Sequence, residues 1–157
     1  MNLLPRRSLL AVAAVVDIAY HARPTPIAAK TLAARHGLPP RHLETLLQVL
    51  VRAGILKGVR GPRGGYELAR ERRRITIADI VRAALGEPED PSEVALREPE
   101  PGSEASPLVG SVVMPMIRSA SEAFLERLDE ITVEELCAEA ERRHVFGEER
   151  PLYDFTI

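Results

Sequence analysis

The sequence predicts a mostly α-helical fold with one small two-stranded β wing, a winged helix-turn-helix domain followed by a long C-terminal dimerisation helix. Three observations carry this. Apolar spacing is helical up to Ala53, extended over residues 55–69, and helical again from Ile77. Charge is divided: residues 1–86 hold 15 basic and 5 acidic side chains, residues 87–157 hold 6 and 18. The net charge of −2 is therefore a cancellation of +10 against −12. Finally, Val109, Val113, Ile117, Ala120, Phe124, Leu128 and Ile131 form a stripe with a mean spacing of about 3.67 residues.

Taken in order, residues 8–22 are apolar nearly all round, as in a helix packed on several sides. Arg6-Arg7 ahead of that run imitates a secretory signal. The run stops at Asp17, short of the roughly 20 residues a membrane span needs, so a cytoplasmic protein with no membrane partner is expected. Thr25-Pro26 reads as a cap and first-turn proline opening a helix over residues 27–36. Gly37 ends it, and Leu38-Pro39-Pro40 launches a helix over residues 41–53. Leu43, Leu46, Leu47 and Leu50 form its buried face.

Two strands are expected at residues 55–60 and 65–69 around Gly61-Pro62-Arg63-Gly64. Thr76-x-x-Asp79 resembles a capping box for a helix over residues 77–85. The Pro- and Glu-rich residues 86–107 read as a mobile acidic loop. A long helix resumes near Leu108, with Pro115 either kinking it or marking where its regular part begins. Thr132-x-x-Glu135 opens a terminal helix to about His144. The echo of Ile75-Thr76-Ile77 in Ile131-Thr132-Val133 reads simply as two helix starts. The expected units are a DNA-binding domain (residues 1–86), the acidic loop (87–107), the dimerisation and terminal helices (108–145), and an irregular tail (146–157).

The chemistry this order supports is duplex DNA binding. A helix-turn-helix presents the start of its second helix to the major groove, here Arg41, His42, Glu44, Thr45 and Gln48. A basic wing from Lys57 to Gly64 follows, in which Arg60 and Arg63 flank glycines that allow close backbone approach. Arg6 and Arg7 complete the expected surface. With three Phe, three Tyr and no Trp, single-strand binding by aromatic stacking is disfavoured. The 19 arginines against 2 lysines suit bidentate contacts to phosphate and guanine.

Residues 41–87 carry a family resemblance. His42-Leu43-Glu44, Ala53-Gly54-Ile55-Leu56 and above all Val59-Arg60-Gly61-Pro62-Arg63-Gly64-Gly65-Tyr66 resemble the Rrf2 family of bacterial winged-helix regulators. Ile75-Thr76-Ile77, Ala78-Asp79-Ile80-Val81 and residues 128–136 extend the match to roughly residues 3–140. The resemblance implies a homodimer whose long helices cross between subunits, bound to a dyad-symmetric promoter site. It also implies that Glu44 contacts or screens base edges, that Arg60 enters the minor groove, and that Arg7 stands at a common lysine position. Arg41 and His42 replace the more usual Ser and Tyr, Arg63 replaces a glycine, and Leu9 and Leu10 replace Arg and Tyr.

Many members of that family hold an iron–sulfur cluster with three cysteines in the loop before the long helix. Residues 86–107 here contain no Cys and no His, Met114 stands near a position where a histidine ligand sometimes sits, and Cys137 is the single cysteine. No metal or other cofactor is therefore expected, since clusters need several thiolates. His21, His36 and His144 read as helix ends or surface, without ligand spacing. The stripe from Val109 to Ile131 is expected to pack on a second copy.

The sequence thus reads as a homodimeric DNA-binding regulator, a repressor, switched by a small-molecule effector, a partner protein or expression alone. A thiol switch at Cys137 would be limited to intermolecular or mixed disulfides. The competing reading is a dimeric protein-interaction module with the same fold, which the +10 surplus does not favour. No nucleophile, metal or acid–base set supports an enzyme.

Overall fold

The structure, a computed structural model, describes residues 3–86 and 106–147. Most of the expected acidic loop and residues 148–157 of the tail lie outside the described residues. Helix α1 spans Arg6–His21, α2 Ala29–His36 and α3 Pro40–Arg52. Strands β1 (Leu56–Val59) and β2 (Gly65–Leu68) follow, then a 3-10 turn at Arg72–Arg74 and α4 at Ile77–Leu85. A π-helical turn, Val109–Val113, leads into α5 (Met114–Asp129), and α6 (Val133–Arg142) closes the order. The terminal helix is thus shorter than expected.

Thr25-Pro26 does not open α2. Ala28 is its N-cap, in extended backbone, and no side chain caps it. The reason is tertiary. Ile27 is an extra strand residue: its N–H donates to the Tyr66 carbonyl at 3.0 Å and its carbonyl accepts from the Tyr66 N–H at 2.8 Å. Those two hydrogen bonds hold residue 27 extended, against its local helical signal.

The wing is an antiparallel pair with Leu56 opposite Leu68, Lys57 opposite Glu67, Gly58 opposite Tyr66 and Val59 opposite Gly65. Both strands are shorter than expected, because Arg60 leaves the ladder and the loop closes through the Gly64 N–H on the Gly61 carbonyl at 2.9 Å. Two glycines here are required by close backbone approach. A Cβ on Gly65 would lie 2.3 Å from the Ile27 carbonyl oxygen, and one on Gly64 2.2 Å from the Val59 carbonyl oxygen.

One core joins Val15 and Ile18 of α1, Leu32 of α2, Leu43, Leu47 and Leu50 of α3, Ile55, Leu56, Ile75 and Ile80. Val133 and Cys137 of α6 belong to the same core. Both anticipated capping boxes form: Thr76 with Asp79, and Thr132 with Glu135. The sequence echo has a further basis, because the two starts pair with each other. Thr76 and Thr132 form an antiparallel bridge, with Ile77 N–H on the Ile131 carbonyl and Val133 N–H on the Ile75 carbonyl, each at 2.9 Å.

Pro115 falls in the first turn of α5 and does not kink its middle. In a plain α-helix its ring would meet the carbonyl of Ser111. The wider π turn just upstream accommodates it.

Candidate nucleic-acid interface

Helix α3 divides cleanly. Leu43, Leu46, Leu47 and Leu50 are buried, and Arg41, His42, Glu44, Thr45 and Gln48 are exposed on the other side. The Thr45 hydroxyl donates back to the Arg41 carbonyl at 3.2 Å, which holds both ends of the first exposed turn in place. Glu44 faces the wing: burial, and then the Glu44 charge, raise the Tyr66 phenol above its ordinary value. Of the exposed row of α3, Glu44 is thus near enough to Tyr66 of β2 for its charge to be felt there.

At the wing tip Arg60, Gly61 and Arg63 are exposed, with Gly64 half-buried beneath them. Lys57 stands apart from this tip. Its ammonium is 2.8 Å from the Glu67 carboxylate across the ladder, and it lines a second cleft with Arg23 and Arg70 at the end of α1. Arg6 and Arg7, distant in sequence from α3, come beside His42. All three border a cleft of about 390 Å³ that also touches Leu38 in the turn between α2 and α3.

A polar cluster escaped the sequence reading. Asp17 is 1% exposed, at the end of the apolar run within α1. One of its carboxylate oxygens meets His21 Nδ1 at 2.9 Å and the Arg35 guanidinium, and the other meets His36 Nε2 at 3.1 Å. A buried carboxylate needs such partners. The cluster ties α1 to the end of α2, next to the turn that sets the angle of α3. His21 also packs edge-on against Phe146 at 4.7 Å. An acid alone in an apolar run, with a histidine four residues on, was the available signal; residues 18 and 19 positions away could not be paired with it.

Along the C-terminal stripe, Val109, Val113, Ile117 and Ala120 are exposed, whereas Phe124, Leu128 and Ile131 are half-buried near α4. Met116 and Ile117 are 70% and 57% exposed. A separate apolar groove of about 510 Å³ runs between Leu9, Val12 and Val16 of α1, Leu136 and Ala140 of α6, and Phe146. No helix among the described residues is long and apolar enough to cross a membrane.

Comparison with known proteins supplies the context. A family model described as "Rrf2: Iron-dependent Transcriptional regulator" matches residues 4–139. The chain is 30% identical over 141 residues to Protein rrf2 of Nitratidesulfovibrio vulgaris, covering 87% of this chain and 88% of that one. It is 30% identical over 133 residues to the HTH-type transcriptional regulator IscR of Xenorhabdus nematophila, covering 85% and 77%. Among solved structures, T. potens IscR superposes with a TM-score of 0.66 at 31% identity, over 90% of each chain.

The family description names iron, and the donor set here does not fit a thiolate-held cluster. The chain has one cysteine. Cys137 is buried, its Sγ lies 4.0 Å from the Val16 carbonyl oxygen, and burial pushes its thiol above the ordinary range despite Arg72 nearby. His21 and His36 are engaged with Asp17, whose carboxylate already holds the Arg35 cation. Among the described residues no three His, Cys, Asp or Glu side chains converge on a metal position.

Proposed function

Because the chain belongs to the Rrf2 family of transcriptional regulators, we propose that it binds duplex DNA sequence-specifically as a homodimer, on a dyad-symmetric promoter site, and represses transcription there without an iron–sulfur cluster. The observation that carries this reading is an exposed polar row on α3 together with a wing whose tip bears two exposed arginines, with Glu44 of that row near enough to Tyr66 of the wing for its charge to be felt there. Arg41, His42, Glu44, Thr45 and Gln48 would face base edges in the major groove, with Glu44 suited to accept from cytosine N4. Arg60, Gly61, Arg63 and Gly64 would follow the phosphates into the adjacent minor groove. Arg6 and Arg7 would hold the flanking backbone, and Lys57, released from Glu67, would add charge behind the wing.

Dimerisation is supported by the two open apolar faces, since exposed patches of this kind on a folded chain call for a partner. A second copy would cover the stripe from Val109 to Ile131 and set two α3 helices about 34–36 Å apart, one helical turn of DNA. The test is selection of bound fragments from genomic DNA by the purified full chain at low salt. The proposal expects enrichment of a short site with two-fold symmetry. Uniform recovery of all fragments, or none, would exclude it.

A further inference from the structure

We infer that Asp17 is a positioning residue for DNA reading: from inside α1 it fixes how the chain enters α3, and through that entry it sets the ratio of specific to non-specific DNA binding. The effect on DNA rests on the functional reading above; the control of the turn does not.

Helix α2 is short, and Leu32 and Ala33 are its buried residues. Two adjacent apolar anchors do not fix the direction of the turn that follows them. The start of α2 is held by the backbone pair between Ile27 and Tyr66. Its last two residues, Arg35 and His36, both reach Asp17, one on each carboxylate oxygen. His21, one turn further along α1, shares the first oxygen. Three side chains thus converge on one buried charge.

A buried ion pair adds little net stability, because desolvation offsets most of its attraction. What it supplies is direction: three polar side chains on the two oxygens of one carboxylate fix distance and rotation together. The chain beyond His36 inherits that placement. Gly37 turns it with φ +60°, and the Leu38 N–H donates to the Ala33 carbonyl at 3.0 Å. Helix α3 starts at Pro40, yet its first buried residue is Leu43. Arg41 and His42 therefore stand ahead of the first core anchor of α3 and take their position from the turn that Asp17 holds. Contacts to base edges demand exact geometry, whereas phosphate contacts carry no sequence information. Loosening this corner should weaken specific binding and spare the rest.

The test measures affinity of the full chain at low salt for the site recovered by selection and for a scrambled duplex of equal length. The proteins are the parent, Asp17→Asn, Arg35→Met, the double variant, and Ile80→Val, a core truncation in α4 that leaves the Asp17 cluster in place. Asp17→Asn and Arg35→Met are each expected to lower affinity for the selected site about tenfold, the scale of one charge-assisted hydrogen bond, with the scrambled duplex held within about twofold. The double variant should lose little more than either single one, because both break the same contact. Hydrogen exchange gives a readout that needs no DNA. In Asp17→Asn the Leu38 amide should lose about tenfold more protection than the Leu47 amide, whereas in Ile80→Val the two should fall together. An unchanged ratio of the two DNA affinities in Asp17→Asn and Arg35→Met, or Leu38 exchange that follows Leu47, would leave Asp17 a merely structural residue and overturn the assignment. A parent that prefers neither duplex overturns the functional reading, and exchange at Leu38 still decides the positioning. If Asp17→Asn does not fold, Arg35→Met, whose side chain is 37% exposed, carries both comparisons.

Discussion

Thr76 and Thr132 face each other across an antiparallel bridge, so the first residues of α4 and α6 are fastened to one another. Each threonine also caps its own helix, accepting from the N–H of Asp79 or Glu135. The Thr76 hydroxyl donates in turn to Asp129 at the end of α5, at 2.7 Å. One pair of residues therefore joins the winged domain to the base of the long helix. Replacing either threonine by alanine is expected to destabilise the fold by about 1 kcal/mol, the usual value of a lost N-cap. The double variant should depart from additivity, because the residues are in contact. Urea unfolding of the two single variants and the double variant measures both.

Acid should loosen the same junction. The Glu135 carboxylate accepts from the Thr132 backbone N–H and hydroxyl, which holds it below the usual carboxylate range. Glu139 is held down by its hydrogen bond from Arg143 and by the neighbouring Arg142 charge. A carboxylate whose folded value is depressed contributes stability above its unfolded value, near pH ~4.3, and that contribution is lost as the pH falls through the lower folded value. Both carboxylates reach solvent, so the effect is screened: melting temperature should fall modestly below about pH 4, and less so in Glu135→Gln, which has no such proton to take up.

Gly65→Ala should break the wing. The added Cβ would strike the Ile27 carbonyl and the Ala28 backbone nitrogen, neither of which is a flexible side chain. A loss of about 1–3 kcal/mol is expected from overpacking, with hydrogen exchange accelerated at the Ile27 and Tyr66 amides before other core amides. Unchanged protection at those two amides would show that the third strand residue is not held as described.

Ile117→Glu tests the dimer. Ile117 is exposed in the single chain, so the variant should keep its helical circular dichroism. If the stripe packs on a second copy, the parent should sediment as two copies and the variant as one. Its affinity for a two-fold site should fall roughly 10²-fold, as the second half-site loses its tether.

Much of this was legible in the residues, and the exceptions share a cause. Capping boxes at Thr76 and Thr132, the apolar face of α3 and the glycine-flanked wing are local signals, settled within a few positions, and all formed. Thr25-Pro26 was a local signal that lost, because Ile27 gains two hydrogen bonds from Tyr66, 39 positions away. The Asp17 cluster and the Thr76–Thr132 bridge are likewise non-local, and each looked bland in sequence: a lone acid, and a repeated tripeptide. At the interface, periodicity separated the exposed row of α3 from its core. It could not bring Arg6 and Arg7 to His42, nor show Lys57 committed to Glu67.

If α3 and the wing together hold duplex DNA, binding must weaken as salt displaces their phosphate contacts. On the site recovered by selection, the logarithm of affinity should fall linearly with the logarithm of salt concentration. Replacing Arg60 and Arg63 by alanine should make that slope shallower by about 0.9 for each lost phosphate contact in each subunit, and weaken binding with it. A doubly substituted protein with the parent's slope and affinity would mean that the wing does not touch DNA.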